Sequence, residues 1–481
     1  MKVSEYYGLG RGQAGLRFLD VDIEKDLKLF LNAKAIRSLG TPWADHCEEL
    51  LSTFFNQVLQ SIKSGDDQTA LGLLSVLKEP NETHLGLSKG ESDGRGLGPK
   101  KAKEIWTAMK RSKAVKSGLL TDLEDTVLLI DGVSVDIVSD IITNIIRGPL
   151  ISYTQETCAG LGIPMVKDVS SGPVWNPKTL GWEVDYVDLP APNDEKLILI
   201  PKEIVRITSD YDVDAYYRHF VLEKLQTVEI EENTALVHVL KSRSNKGRKR
   251  VYKTDLMAKY GTEKKAVIIE QTDNYPELFE QYKAANSEPS PVLTHRQIAD
   301  AQDSPPPDWD KLLNDVLELA PGKKDAYKYE ESIQALMEAL FYPSLVQPST
   351  QTPIHDGMKR VDIDFKNHAQ EGFFDWVGRH YRAPYVFVEC KNFGSEIGNP
   401  EIDQIAMRMS DKRGRFGILV CRSVDNEERM FQRCKAAAID GHAFIVALQD
   451  KDLVELVEAA KNTFTANIYD LLDRQFKALV M

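Results

Sequence analysis

Cysteine is scarce in this chain. Its five residues, Cys47, Cys158, Cys390, Cys421 and Cys434, are scattered, odd in number and never spaced as CxxC. That pattern excludes a disulfide framework and a cysteine-based structural zinc site. No apolar run of about 18 residues occurs, so no membrane-spanning helix is expected. The opening MKVSEYYGLGRGQAG has no apolar stretch like that of a secretory signal, which makes the cytoplasm the expected compartment. A general excess of basic residues is missing too. The formal net charge is −13, which disfavours a protein that binds nucleic acid over its whole surface.

Local basic patches are nevertheless present. Between Lys241 and Lys265 stand Lys241, Arg243, Lys246, Arg248, Lys249, Arg250, Lys253, Lys259, Lys264 and Lys265, opposed only by Asp255 and Glu263. The tightest part, Lys246, Arg248, Lys249 and Arg250, is a candidate nucleic-acid contact in a loop, although a solvated face would look the same. A second patch runs from Lys100 to Lys116. With 481 residues, the chain is long enough for about three domains.

The chain suggests a mainly helical region over 1–165, an α+β region with the basic segment over 166–284, a proline-rich linker over 285–310 and a further domain over 311–481. Leu50, Leu51, Phe54, Phe55, Val58, Leu59 and Ile62 form the apolar stripe of a helix spanning Asp45 to Lys63. The string GLGPKKAKEI after a Gly-rich stretch resembles half of a helix-hairpin-helix, with Pro99 in a first helical turn, but its partner helix is missing and a structural turn with exposed lysines is the simpler reading. Asp136, Asp140, Asn144 and Arg147 recur at helical spacing. They read either as an outward-facing edge with internal ion pairs or as a small-ligand site. The Tyr153, Thr154, Gln155 and Cys158 cluster favours no single role. Beyond Pro164 the pattern turns to strands, with a hairpin expected around Pro190, Pro192, Asn193 and Asp194. A helix is expected from Asp210 to Leu225. Five of the chain's 22 prolines then fall between Ala284 and Trp309, the composition of a stiff linker.

The last region carries the chemistry. Val386-Phe387-Val388-Glu389-Cys390-Lys391 reads as a strand whose period-2 alternation puts Phe387, Glu389 and Lys391 on one face. Upstream, Arg360-Val361-Asp362-Ile363-Asp364-Phe365 reads as another, with Asp362 and Asp364 facing alike. Helices are expected over Tyr327 to Phe341, Phe373 to Tyr381, Pro400 to Asp411 and Glu427 to Asp440, and strands over Phe416 to Val420 and Ala443 to Leu448. Alternating strands and helices imply a sheet covered on both faces. Two carboxylates from neighbouring strands would supply hard oxygen ligands to Mg²⁺, with Mn²⁺ an alternative, and leave positions for water and a phosphate oxygen. Such an ion polarises a phosphoryl group and lowers the pKa of its bound water. A lysine beside it would orient that water or stabilise the developing charge.

RVDIDF, VFVECKN, a helix bearing Gln404 and then GRFGILVCRS resemble the PD-(D/E)XK nuclease superfamily, the restriction-endonuclease-like fold, in its Mrr-like branch. The resemblance covers about residues 325–450. It implies a three-layer α/β/α domain, here preceded by a mixed α+β body, together with divalent-metal catalysis on nucleic acid, double-stranded DNA by preference. By that resemblance the metal ligands are Asp362 and Glu389 and the catalytic lysine is Lys391. Gln404 and Glu330, or the adjacent Glu331, complete the site, and Asp364 stays open as the alternative to Asp362. The proline that nominally precedes the aspartate is replaced by Val361. Lys359, Arg360, Arg379, Arg382, Arg408, Arg413 and Arg415 lie close in sequence, with Arg360 the candidate phosphate contact. His355, His368 and His380 are near as well and are assigned no role.

The expectation is a Mg²⁺-dependent endonuclease whose first 300 or so residues sense a trigger, recognise a target or oligomerise, as in a prokaryotic restriction or anti-phage effector. The competing expectation is a non-catalytic nucleic-acid-binding protein with a degenerate nuclease fold.

Overall fold

The computed structural model describes residues 1–86, 98–240, 246–354, 359–393, 398–441, 443–462 and 467–481. It divides into two units that are not consecutive in sequence. The first comprises Met1, Val21–Ile200 and Ile204–Val292, and the second Lys2–Asp20, Pro201–Glu203 and Leu293–Met481. The expected regions 1–165 and 166–284 thus fall mostly within one unit. The boundary expected at 285–310 lies at Val292, and the stretch beyond it folds into a helix, His295–Ala301. That helix starts on a capping box in which Thr294 and Gln297 bond each other's backbone amides. Among the described residues no helix is long and apolar enough to cross a membrane.

In the first unit, helix α1 (Pro42–Ser64) begins where Thr41 Oγ1 accepts the Ala44 amide and ends on Gly65 in a left-handed conformation. Its buried stripe, from Leu50 to Ile62, is the one expected. Helices α2 (Val135–Ile145) and α3 (Arg147–Leu161) follow. Strands β1 (Val166–Asn176) and β2 (Gly181–Leu189) form an antiparallel hairpin. Its turn is not at the Pro190 to Asp194 segment. The Asn176 carboxamide accepts the amides of Lys178 and Thr179 and closes the loop earlier, a local competition that proline counting overlooks. Trp175 and Trp182 face each other across the hairpin and pack with Phe54 at centroid distances of 5.1–5.5 Å.

The helix expected from Asp210 is broken into Val213–Tyr216, a π turn over Tyr217–Val221 and α4 (Leu222–Glu231). Two short strands, β3 (His238–Val239) and β4 (Lys249–Arg250), then pair antiparallel. The basic segment is therefore one arm of a small hairpin.

The second unit is built on helix α5 (Ala326–Phe341) and a five-stranded sheet. In chain order its elements are β5 (Leu345–Ile354), β6 (Lys359–Asn367), α6 (Gly372–His380), β7 (Tyr385–Lys391), α7 (Asn399–Ala406), β8 (Phe416–Cys421), α8 (Glu427–Gly441) and β9 (Phe444–Leu448). Helices α9 (Asp450–Lys461) and α10 (Asp470–Val480) close it. Spatial order in the sheet is β9-β8-β7-β6-β5. β5, β6 and β7 are antiparallel neighbours, while β7, β8 and β9 run parallel. Ile363, Phe365, Val386, Val388, Ile418, Val420, Ile445 and Val446 are all buried, the near-continuous apolar runs that a covered sheet needs. Ile418 is in register with both Val388 and Val446, and Ile363 with Val388. A Cβ on Gly417 would come within 2.7 Å of Met409 Cε, so glycine leaves room for the chain beyond α7 to close down on β8.

Candidate active site

The registers that build the sheet also gather the charged side chains. In an antiparallel pair, directly opposed residues share a face. Asp364 is opposite Phe387 and Ile363 opposite Val388. By that count Asp362, Asp364, Phe387, Glu389 and Lys391 project from one side. The recorded ladder between β6 and β7 stops at Ile363, and beyond it the amide of Cys390 donates to Asp362 Oδ2 at 3.0 Å. That bond anchors one carboxylate oxygen of Asp362 and leaves the other available.

Glu389 is 2% exposed. Lys391 Nζ donates to its Oε1 at 2.7 Å and to Gln404 Oε1 on α7 at 3.4 Å. From the other side of the site, Glu330 on α5 accepts a hydrogen bond from Gln351 Nε2 at 2.7 Å. Burial raises the pKa of Glu330. The Gln351 bond opposes the rise, the charge of Asp362 adds to it and that of Lys391 offsets it. Those influences put Glu330 within electrostatic reach of both strand residues. Glu331 bonds Tyr327 instead. Asp364 is committed to the Thr352 hydroxyl, and burial raises its pKa. Asp362, Glu389, Lys391, Gln404 and Glu330 thus come together, while Asp364 and Glu331 face other partners.

A residue with no distinguishing signal in sequence completes the cluster. Arg408, just past α7, brings its Nη1 against Glu389 Oε2, with both side chains buried. Lys391 and Arg408 thus hold one oxygen of Glu389 each. Burial lowers the pKa of Arg408, and Asp362 pulls it back up, which locates the guanidinium near both carboxylates. The only hint in sequence is its place one helical turn after Gln404. Other basic residues nearby are engaged elsewhere: Arg379 with Asp375, and both Arg382 and Arg415 with Asp411. Arg360 is exposed, and His355 lies outside the described residues.

The donor set suits a hard divalent cation. The carboxylates of Asp362 and Glu389 are the type of ligand Mg²⁺ takes together with water and substrate phosphate. Among the described residues no three His, Cys, Asp or Glu side chains are grouped to hold a metal alone.

Elsewhere, the structure alters two expectations. Asp140, Asn144 and Arg147 do not form an outward edge. They are 5%, 2% and 4% exposed, because α2 turns this row inward. Asn144 donates to the carbonyls of Lys78 and Asp140, and Arg147 pairs with Glu82 and reaches Asn144 Oδ1. Burial, with Asp136, Glu79 and Asp26 nearby, pushes the Asp140 carboxyl up to about 9. Thr154 and Gln155 are bonded to Leu199 and Asp188 backbone, a structural use of that cluster. Among the basic residues, Lys110, Lys113, Lys253, Lys259 and Lys264 pair with acidic side chains. Lys246, Arg248, Lys249 and Arg250 are exposed on or beside the β3–β4 hairpin, and Arg250 stacks 4.9 Å from the Tyr252 ring centre. Lys241, Arg243 and most of the Gly-rich stretch before Pro99 lie outside the described residues.

Comparison with protein families matches one profile, a domain of unknown function designated DUF8370, over residues 8–212. All five clustered site residues lie beyond that span. Comparisons with curated proteins and with solved structures give no match.

Proposed function

We propose that the second unit is a divalent-metal-dependent nuclease of the PD-(D/E)XK kind, acting on DNA. The observation that carries this reading is the convergence of Asp362, Glu389 and Lys391 from two adjacent strands with Glu330 and Gln404 from two helices. The three-layer arrangement is inferred on similar grounds. Tyr329 of α5 senses Cys390, whereas Ile405 of α7 lies 3.6 Å from the Cβ position of Gly417. Gly417 is in register with Phe387 and Cys390 with Val420, so the two helices are assigned to opposite faces.

Asp362 and Glu389 would hold the ion, which supplies Lewis-acid activation of the phosphoryl group and of a water. Lys391 pairs with Glu389 and presents an ammonium to the charge that grows on phosphate. Gln404 steadies Lys391 and Glu330 borders the site. A nuclease acting on generic phosphates needs restraint in its own cell. The first unit, with its basic hairpin, is the candidate sensor or targeting element of a cytoplasmic restriction or anti-phage effector.

The test is incubation of the full chain with supercoiled plasmid, linear DNA and RNA in Mg²⁺, with and without chelator. Cutting that depends on Mg²⁺ and falls by about a hundredfold or more in Lys391→Ala is expected. Equal cutting by that variant refutes the assignment. One observation favours a second reading, a non-catalytic nucleic-acid-binding protein: Glu389 carries two cations and is almost inaccessible. Retardation of DNA without cutting in Mg²⁺ or Mn²⁺ would select that alternative.

A further inference from the structure

One buried carboxylate, that of Glu389, meets two cations. Lys391 alone balances Glu389, at 2.7 Å and with a second bond to Gln404. Arg408 adds a further positive charge on the opposite oxygen, with a side chain only 7% exposed. Asp362 and Glu330 border the same cluster, so Lys391 and Arg408 stand among three carboxyl groups.

Resting on the nuclease reading above, we propose that Arg408 is a built-in substitute for the metal ion. It occupies the coordinating oxygen of Glu389 in the metal-free chain and must leave that oxygen before a divalent cation can bind. A dication that takes this oxygen meets the Arg408 charge at close range, and the departure of Arg408 relieves both the crowding and the repulsion. The backbone favours such a movement. Arg408 lies past the last residue of α7, its amide bonding Ile405 O and its carbonyl accepting Arg413 Nε at 2.9 Å. Arg408 is on this account a positioning residue that sets metal affinity.

The competition has a measurable signature. If the competent state is the minority one, apparent metal affinity is reduced by its fractional population, and removing the competitor restores it. The experiment is titration of the full chain with Mn²⁺, without nucleic acid, by calorimetry and by the spin-resonance signal of free Mn²⁺. Thermal melts of each variant in chelator accompany it. Arg408→Gln should bind Mn²⁺ about tenfold or more tightly than the parent, Arg408→Lys should fall between them, and Glu389→Gln should abolish binding. In chelator Arg408→Gln should melt below the parent, and Mn²⁺ should narrow that gap.

If Arg408→Gln fails to fold, the Arg408→Lys affinity decides. Mn²⁺ binding that requires Glu389 but is unchanged or weaker in folded Arg408 variants overturns the substitute role and leaves the nuclease reading standing. Absence of Mn²⁺ binding in every variant overturns both.

Discussion

Lys202 has no accessible surface. Its Nζ donates to Leu16 O at 2.6 Å and to Glu338 Oε1 on α5 at 3.0 Å, and it lies 4.4 Å from the Tyr342 ring centre. A lysine is the residue least expected inside, and nothing in the PKEI string around it tells it from a surface one. Replacing it by Met leaves Glu338 buried and unpaired, so Lys202→Met should cost about 3–5 kcal/mol in denaturant unfolding of the second unit. Adding Glu338→Met should recover much of that loss, and a double variant no better than the single one refutes the pairing. The same asymmetry governs the candidate site. Asp362, Glu389 and Lys391 are legible because alternation along two apolar strands fixes their face. Arg408, the Thr352 bond of Asp364 and the Gln351 bond of Glu330 are not, because each depends on which loop or edge strand closes over the sheet.

At the level of elements, long apolar periodicity was readable and mixed patterns were not. The central strands and α5 through α8 match their expected places to within a few residues at most ends. β5 was missed because Leu345–Ile354 carries polar residues and two prolines, which suits an edge strand paired on one side only. α9 and α10 were not anticipated. α2 is legible as a helix, but the side that its polar row faces is not. A polar stripe on an apolar helix looks alike whether it faces water or buried partners.

That inward row predicts an unusual pH response. Asp140 keeps its proton in the folded chain up to about 9, whereas an unfolded aspartate releases it near pH 3.9. Between those values the folded state binds more protons, so this residue lowers stability progressively as pH rises. Asp140→Asn should raise the melting temperature at pH 8, by about 2–4 °C per kcal/mol relieved, with the gain shrinking toward pH 4. A gain independent of pH, or a loss at pH 8, contradicts the assignment.

On the scale of the whole molecule, the second unit is discontinuous. It takes in Lys2–Asp20 and Pro201–Glu203 as well as Leu293–Met481, so a domain drawn at 311–481 omits part of its own core. Ala14 belongs to the same buried cluster as Ile333, Leu336 and Leu340 of α5. A fragment of residues 311–481 should therefore aggregate or melt well below the intact chain. A fragment melting where the full chain does would show those segments to be dispensable. Hydrophobic periodicity cannot reveal such an arrangement, because each segment reads only against its immediate neighbours.

The discontinuity also sets a clock. During synthesis, Ala14 emerges long before α5, the helix it packs on, and at ordinary translation speeds the interval is on the order of tens of seconds. For that time the strands of Asp362 and Glu389 do not yet exist. Their supporting helix can be fully covered only after both earlier segments are available. A polysome would thus carry many copies of the first unit and few completed clusters around Asp362 and Glu389.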